Sequence, residues 1–250
     1  MPPSFCVKDR TCPARIDNQE NANSMMLKAC LFDLDGVIVD TARYHYIAWR
    51  QIARELGFEF TEEDNERLKG VSRIRSLEIL LGIGGITLDD ETKAGLAQKK
   101  NSLYLEHVLK MRPDEVLPGA REFLTECRNH KLGIGLGSAS KNATTILNLL
   151  QITDLFDVII DGNKVTQAKP DPEVFLKGAQ ELGVPPPSCV VFEDATAGIE
   201  AAVAAGMFSV GIGDPVVLGQ ADFVVAGLKD LSVKTLLARL ELPSGHNAPA

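Results

Sequence analysis

Hydrophobic and polar positions alternate between two periods along the chain. Residues 27–33, Leu-Lys-Ala-Cys-Leu-Phe-Asp, form a dense apolar run and predict a buried strand that stops at the turn signal Asp35-Gly36. The period then changes. Ala42, Tyr46, Trp49, Ala53 and Leu56 recur at helical spacing, and Gly57 supplies a stop, so the pattern predicts a helix over 42–57. Thr61 followed by Glu62, Glu63 and Asp64 reads as an N-cap with an acidic first turn. Helical spacing continues through 73–81 and 89–110, with a Gly-rich break at 82–85.

No strand pattern occurs between 42 and about 112. After Arg112-Pro113 the two periods alternate: helix 119–131, strand 132–137, helix 142–150, strand 157–160, helix 171–182, strand 189–193, helix 196–205, strand 207–212. Strands alternating with helices imply βαβ units. The fold class expected is α/β: a doubly wound, Rossmann-like parallel sheet with a helical cap inserted after the first strand. The expected division is a leader at 1–25, a core at 26–41 and 113–242, a cap at 42–112 and a tail at 243–250.

Composition narrows this picture. With 250 residues the chain can bury a full core plus an inserted unit. A net charge of −8 argues against nucleic acid and anionic membrane as partners, though not against a small phosphorylated ligand. No apolar stretch approaches the roughly 20 residues of a membrane span. Residues 1–24 are polar and lack the apolar centre of a secretory signal, and Met25-Met26 stands as a natural start. Cys6, Cys12, Cys30, Cys127 and Cys189 have no metal-type spacing, and a reducing, cytoplasmic setting is expected.

The chemistry concentrates at predicted strand ends, where open α/β sheets bind ligands. Asp33 and Asp35 follow the first strand two residues apart, so both carboxylates can reach one space beyond it. Such a pair suits a divalent cation, or a nucleophile with a proton shuttle. The strand at 132–137 runs into Ser138-Ala139-Ser140-Lys141-Asn142, a set of anion-binding groups beside a helix start. Gln167-Ala-Lys169-Pro170-Asp-Pro172 presents a lysine between a strand end and two prolines. The strand at 189–193 ends in Glu193-Asp194, acids again.

These motifs, in this order, resemble those of the haloacid dehalogenase superfamily over residues 26 to about 226. Lys69-Gly-Val-Ser72-Arg73, with Thr41, His45 and Lys100, is similar to its sugar-phosphate mutase branch. The resemblance implies that Asp33 is a nucleophile and Asp35 a general acid/base. It implies Mg²⁺ held by the Asp33 carboxylate, the Asp35 carbonyl and Asp194, with Glu193 in support. Ser138 and Lys169 would bind the transferring phosphoryl group. Lys69, Ser72, Arg73, Trp49, Lys100 and the 138–142 run, Ala139 included, would hold the rest of the substrate. Among these, Arg73, Ser140, Lys141 and Asn142 would take a distal phosphate, while Thr41 and His45 would serve the catalytic acids. A monomer interconverting β-glucose 1-phosphate and glucose 6-phosphate through the 1,6-bisphosphate is expected. The alternatives are a Mg²⁺-dependent phosphatase of small phosphomonoesters and a catalytically silent phosphosugar-binding protein. Ala195 departs from the serine frequent in the family.

Plainer roles exist for several of these side chains. Thr41 could cap the helix at 42, and Lys100 could be half of a solvated pair with Lys99. His45 could sit at the boundary of an apolar stripe, Arg73 on an exposed helix start, and Trp49 with Tyr46 in the cap's own core.

Overall fold

A computed structural model describes residues 26–240. The leader, the tail, Cys6 and Cys12 lie outside these residues.

The first strand, β1 (Ala29–Phe32), is buried at every position. Four helices of the insert follow: α1 (Ala42–Glu55), α2 (Glu62–Glu66), α3 (Arg73–Ile83) and α4 (Asp90–Val108). The chain then alternates: α5 (Ala120–Asn129), β2 (Gly133–Gly137), α6 (Ala143–Leu149), β3 (Val158–Ile160), α7 (Glu173–Leu182), β4 (Cys189–Glu193), α8 (Thr196–Ala204), β5 (Phe208–Ile212), β6 (Phe223–Val225) and α9 (Val233–Leu240). The six strands form one sheet in the order β3-β2-β1-β4-β5-β6, and every neighbouring pair is parallel. The connections leave β1 toward β2 and β3 on one side and return to β4, β5 and β6 on the other. This reversal opens a crevice at the C-terminal ends of β1 and β4.

Parallel strands are covered on both faces, and β1 shows how. Cys30 and Phe32 enter one core with Phe123, Ile146 and Phe192, while Ala29 and Leu31 enter another with Phe175 and Val191. Phe32 stacks on Phe192 of the paired strand at 4.6 Å. The inserted helices have a core of their own, built on Trp49, Ile52, Phe60, Leu77, Leu80 and Ala97. α2 begins as expected: Thr61 and Asp64 form a reciprocal capping box.

The structure corrects some boundaries. α3 continues through Gly82 to Ile83, so the glycine-rich break is shorter than expected. Phe58 packs so close to Gly84 that a Cβ there would strike its ring, which places that glycine at the contact after the helix. β1 ends at Phe32, so both aspartates lie just past the strand. β6 and α9 were not expected; β6 is three half-buried residues, too few to show a period. No helix among the described residues is long and apolar enough to cross a membrane.

Candidate active site

The chain leaves β1 along the top of the sheet, and the Asp33 amide donates to Phe192 O of β4 at 2.9 Å. That bond places Asp33 over the crevice. Lys169 comes from the segment before α7, and its Nζ lies 2.5 Å from Asp33 Oδ1 and 2.8 Å from Glu193 Oε2. All three side chains are buried. Burial opposes the charge on Lys169, but the carboxylates of Asp33 and Glu193 outweigh it and hold its pKa above the ordinary lysine value. Burial, then the charge of Asp33, pushes Glu193 up to about 7. Asp194 is raised as well, by burial and then by Glu193 and Asp33.

Asp33, Glu193 and Asp194 can each offer an oxygen within 4.8 Å of the others. Three acids against one ammonium leave surplus negative charge in a dry setting. The raised pKa values of Glu193 and Asp194 record that cost. An all-oxygen donor set with excess negative charge fits a hard divalent cation. The backbone is shaped for it: Gly36 has φ +75°, and a Cβ there would collide with the Asp194 carboxylate.

Asp35 faces a different partner. Thr41 Oγ1 donates a hydrogen bond to Asp35 Oδ1. Thr41 stands at the N-cap of α1 without a side-chain capping bond, so its hydroxyl serves the aspartate instead of the helix. Burial and the nearby Asp33 charge raise the Asp35 carboxyl to about 7, against the opposing pull of Thr41.

A cleft of about 820 Å³ joins this sheet end to the helical insert; Asp33, Lys169, Asp194, Arg73, Lys100 and Asn142 all line it. On the insert side, Lys100 is buried, not solvated. Its Nζ lies 2.7 Å from His45 Nδ1 and rests over the rings of Trp49 and Tyr104 at 4.9 and 4.7 Å. Burial and the charge of Arg73 push the Lys100 ammonium down to about 7. Burial, then Lys100 and Arg73, lowers the His45 pKa, so the neutral ring accepts from Lys100. Trp49 belongs to the insert's core and also to the cleft wall.

Arg73 opens α3, half-buried at the cleft wall, with no ion pair among the described residues. Ser72 next to it caps α3, accepting from Arg75 N at 3.3 Å. Lys69 pairs with Glu66 at 2.8 Å and feels the Asp194 charge. Between them Gly70, at φ +72°, brings the loop so near the core that an added Cβ would sit 3.0 Å from the Ala195 Cβ. Ala195 thus forms part of the seam between insert and sheet.

After β2 the hydroxyls of Ser138 and Ser140 accept in turn from Ser140 N at 3.1 Å and Asn142 N at 3.2 Å. These bonds curl 138–142 around the cleft, with Ala139 in the wall and Lys141 exposed at its edge. Asn142 Nδ2 then donates to Asn101 Oδ1 of α4 at 3.0 Å, bridging sheet and insert. Asn101 and Tyr104 also line the cleft and escaped the sequence reading, since a polar and an aromatic residue in a long helix carry no distinguishing signal.

Known proteins share this arrangement. Residues 27–206 match the family model of haloacid dehalogenase-like hydrolases. The chain is 43% identical to a β-phosphoglucomutase of Bacillus subtilis over 212 residues, covering 84% of this chain and 94% of that one. It is 34% identical to the fructose-1-phosphate phosphatase YqaB of Escherichia coli, covering 73% and 94%. A crystal structure of β-phosphoglucomutase from Clostridium difficile superposes with a TM-score of 0.83 at 41% identity, covering 86% of this chain and 97% of that one. The chain belongs to the haloacid dehalogenase-like hydrolase family, with β-phosphoglucomutases among its relatives.

Proposed function

We propose that the protein is a β-phosphoglucomutase, interconverting β-D-glucose 1-phosphate and glucose 6-phosphate through an aspartyl phosphate and β-glucose 1,6-bisphosphate. Asp33 is the nucleophile: its carboxylate is fixed by Lys169 at the mouth of the crevice. Lys169 also draws the phosphoryl oxygens and weakens their repulsion of the incoming carboxylate. Ser138, at the end of β2, contributes to the same anion site. Asp35, with a pKa near 7, is poised both to protonate the departing sugar oxygen and to take a proton from the attacking hydroxyl. Thr41 orients it.

Asp33, Asp194 and the Asp35 carbonyl would hold Mg²⁺, with Glu193 beside them. The ion, when bound, supplies charge neutralisation for phosphoryl transfer. The helical insert acts as a lid that excludes water, with His45 and Lys100 lining its inner side. The described cysteines Cys30, Cys127 and Cys189 are free thiols, which suits the cytoplasmic monomer we propose.

One observation favours a mutase over a plain phosphatase. Arg73, a half-buried guanidinium without an ion-pair partner among the described residues, lines the same cleft as Asp33. With Ser140, Lys141 and Asn142 it supplies a second anion site, which a bisphosphate requires and a monoester does not. Arg73→Ala is therefore expected to cut mutase flux by about 1.5–3 kcal/mol, the range for a charged hydrogen bond. Hydrolysis of a small aryl phosphate by the same variant should change far less. Equal losses in a folded variant would assign Arg73 to core chemistry; equal retention would make sugar phosphatase the better description.

A further inference from the structure

The segment between β3 and α7 carries Lys169 and contributes residues 165–170 to the cleft wall. It has no helix or strand to hold it. Lys177 Nζ holds its start, donating to Lys164 O at 2.7 Å, and one carboxylate ties its middle. Glu173, the first residue of α7, accepts through Oε2 from Thr166 N at 2.8 Å, Thr166 Oγ1 at 2.9 Å and Gln167 N at 2.6 Å. Its Oε1 pairs with Lys177 at 2.6 Å, one turn on in the same helix. Asp171 closes the near end: its Oδ1 accepts from Glu173 N at 2.9 Å, and its own amide donates to Ala168 O at 3.0 Å.

We propose that Glu173 is a positioning residue, which clamps residues 166–167 to the start of α7 and thereby aims Lys169 at Asp33 and Glu193. The inference rests on the reading of Lys169 as a phosphoryl-binding group and holds equally for a mutase or a phosphatase. A helix-start acid paired with a lysine one turn later would by itself be an ordinary surface feature. The three bonds into the cleft segment are what distinguish it. Lys169 has a long side chain and must meet two carboxylates at 2.5 and 2.8 Å. A backbone drift of about 1 Å two residues upstream would break that geometry, and misplacements of this size cost catalysis up to about a hundredfold. Lys177 first, then the Gln167 amide, hold the Glu173 carboxyl down to about 2, so the clamp is charged at any pH where the enzyme operates.

The test compares Glu173→Ala, Glu173→Gln, Lys177→Ala and Lys169→Ala for aryl-phosphate turnover with Mg²⁺, alongside melting temperature. Glu173→Ala is expected to lose about tenfold to a hundredfold in kcat with little change in KM or melting temperature. Glu173→Gln keeps an acceptor oxygen and should recover most of that loss. Lys177→Ala removes the ion pair and the bond from Lys177 Nζ to Lys164 O at 2.7 Å, but leaves the three bonds into residues 166–167, and should lose far less than Glu173→Ala. Glu173→Ser, which suits a helix start but cannot reach Thr166, replaces the alanine variant should that one fail to fold. Wild-type kcat in Glu173→Ala or Glu173→Ser, with Lys169→Ala inactive, would overturn the proposal. So would a loss in Lys177→Ala matching that of Glu173→Ala. An active Lys169→Ala would instead overturn the reading of the site on which the proposal rests.

Discussion

Gly36 and Asp194 compete for one space: a Cβ on Gly36 would fall on the Asp194 carboxylate. The glycine serves twice, because its φ of +75° also lets the chain turn away from the end of β1. Gly36→Ala should therefore displace a proposed metal ligand as well as strain a turn. The strain alone costs roughly 1 kcal/mol, a small shift in melting temperature. Activity should fall by at least about a hundredfold, beyond anything that loss of folded protein explains, and Mg²⁺ titration by calorimetry should show weakened binding. A variant with normal turnover and normal Mg²⁺ affinity would refute the coupling.

Asp33→Asn removes the proposed nucleophile and a proposed metal ligand together. Turnover should drop by about 4 kcal/mol or more, roughly a thousandfold, with the far-ultraviolet circular dichroism of the wild type. Activity above a tenth of wild type would remove Asp33 from the nucleophile's role.

Metal dependence follows from the excess of buried carboxylate around Lys169. Chelation with EDTA should stop turnover, and Mg²⁺ should restore it. Full activity in metal-free buffer would contradict the oxygen-ligand site.

Burying the Lys100 ammonium costs stability. Its pKa is lowered to about 7 by burial and by Arg73, so the folded protein binds fewer protons here than the unfolded chain between about pH 7 and the ordinary lysine value. The penalty for burying the charge is full below pH 7 and disappears as pH rises toward 10. Lys100→Met should thus melt above wild type at pH 6, by a few kcal/mol at most, with the gain shrinking by pH 9 while mutase activity falls. A gain independent of pH would mean that packing, not charge burial, sets the difference.

The sheet and the insert were legible because each has a clear period: the runs at 27–33 and 189–193 became β1 and β4, and the stripe from Ala42 to Leu56 became α1. That Asp33, Glu193 and Asp194 gather at one place was legible because short motifs at strand ends keep their spacing. What sequence could not show was which partner each side chain takes. Thr41, expected to serve the catalytic acids, could equally have capped its helix, and only the fold shows its hydroxyl on Asp35. Lys100, in Gln-Lys-Lys-Asn, could be a substrate group or half of a solvated pair, and only the fold shows it buried against two aromatic rings supplied by separate helices. Glu173 was not singled out at all, because its bonds to Thr166 and Gln167 depend on how the preceding segment folds back. β6 was missed because an edge strand of three residues is set by its neighbour β5 and not by its own pattern.

The central claim is that the aspartyl phosphate is passed to a sugar hydroxyl and not to water. Incubating the enzyme with β-glucose 1-phosphate, Mg²⁺ and a catalytic amount of glucose 1,6-bisphosphate, and measuring glucose 6-phosphate and inorganic phosphate side by side, tests it directly. The account predicts glucose 6-phosphate in large excess over released phosphate. Phosphate release matching substrate consumption, with no glucose 6-phosphate formed, would contradict it.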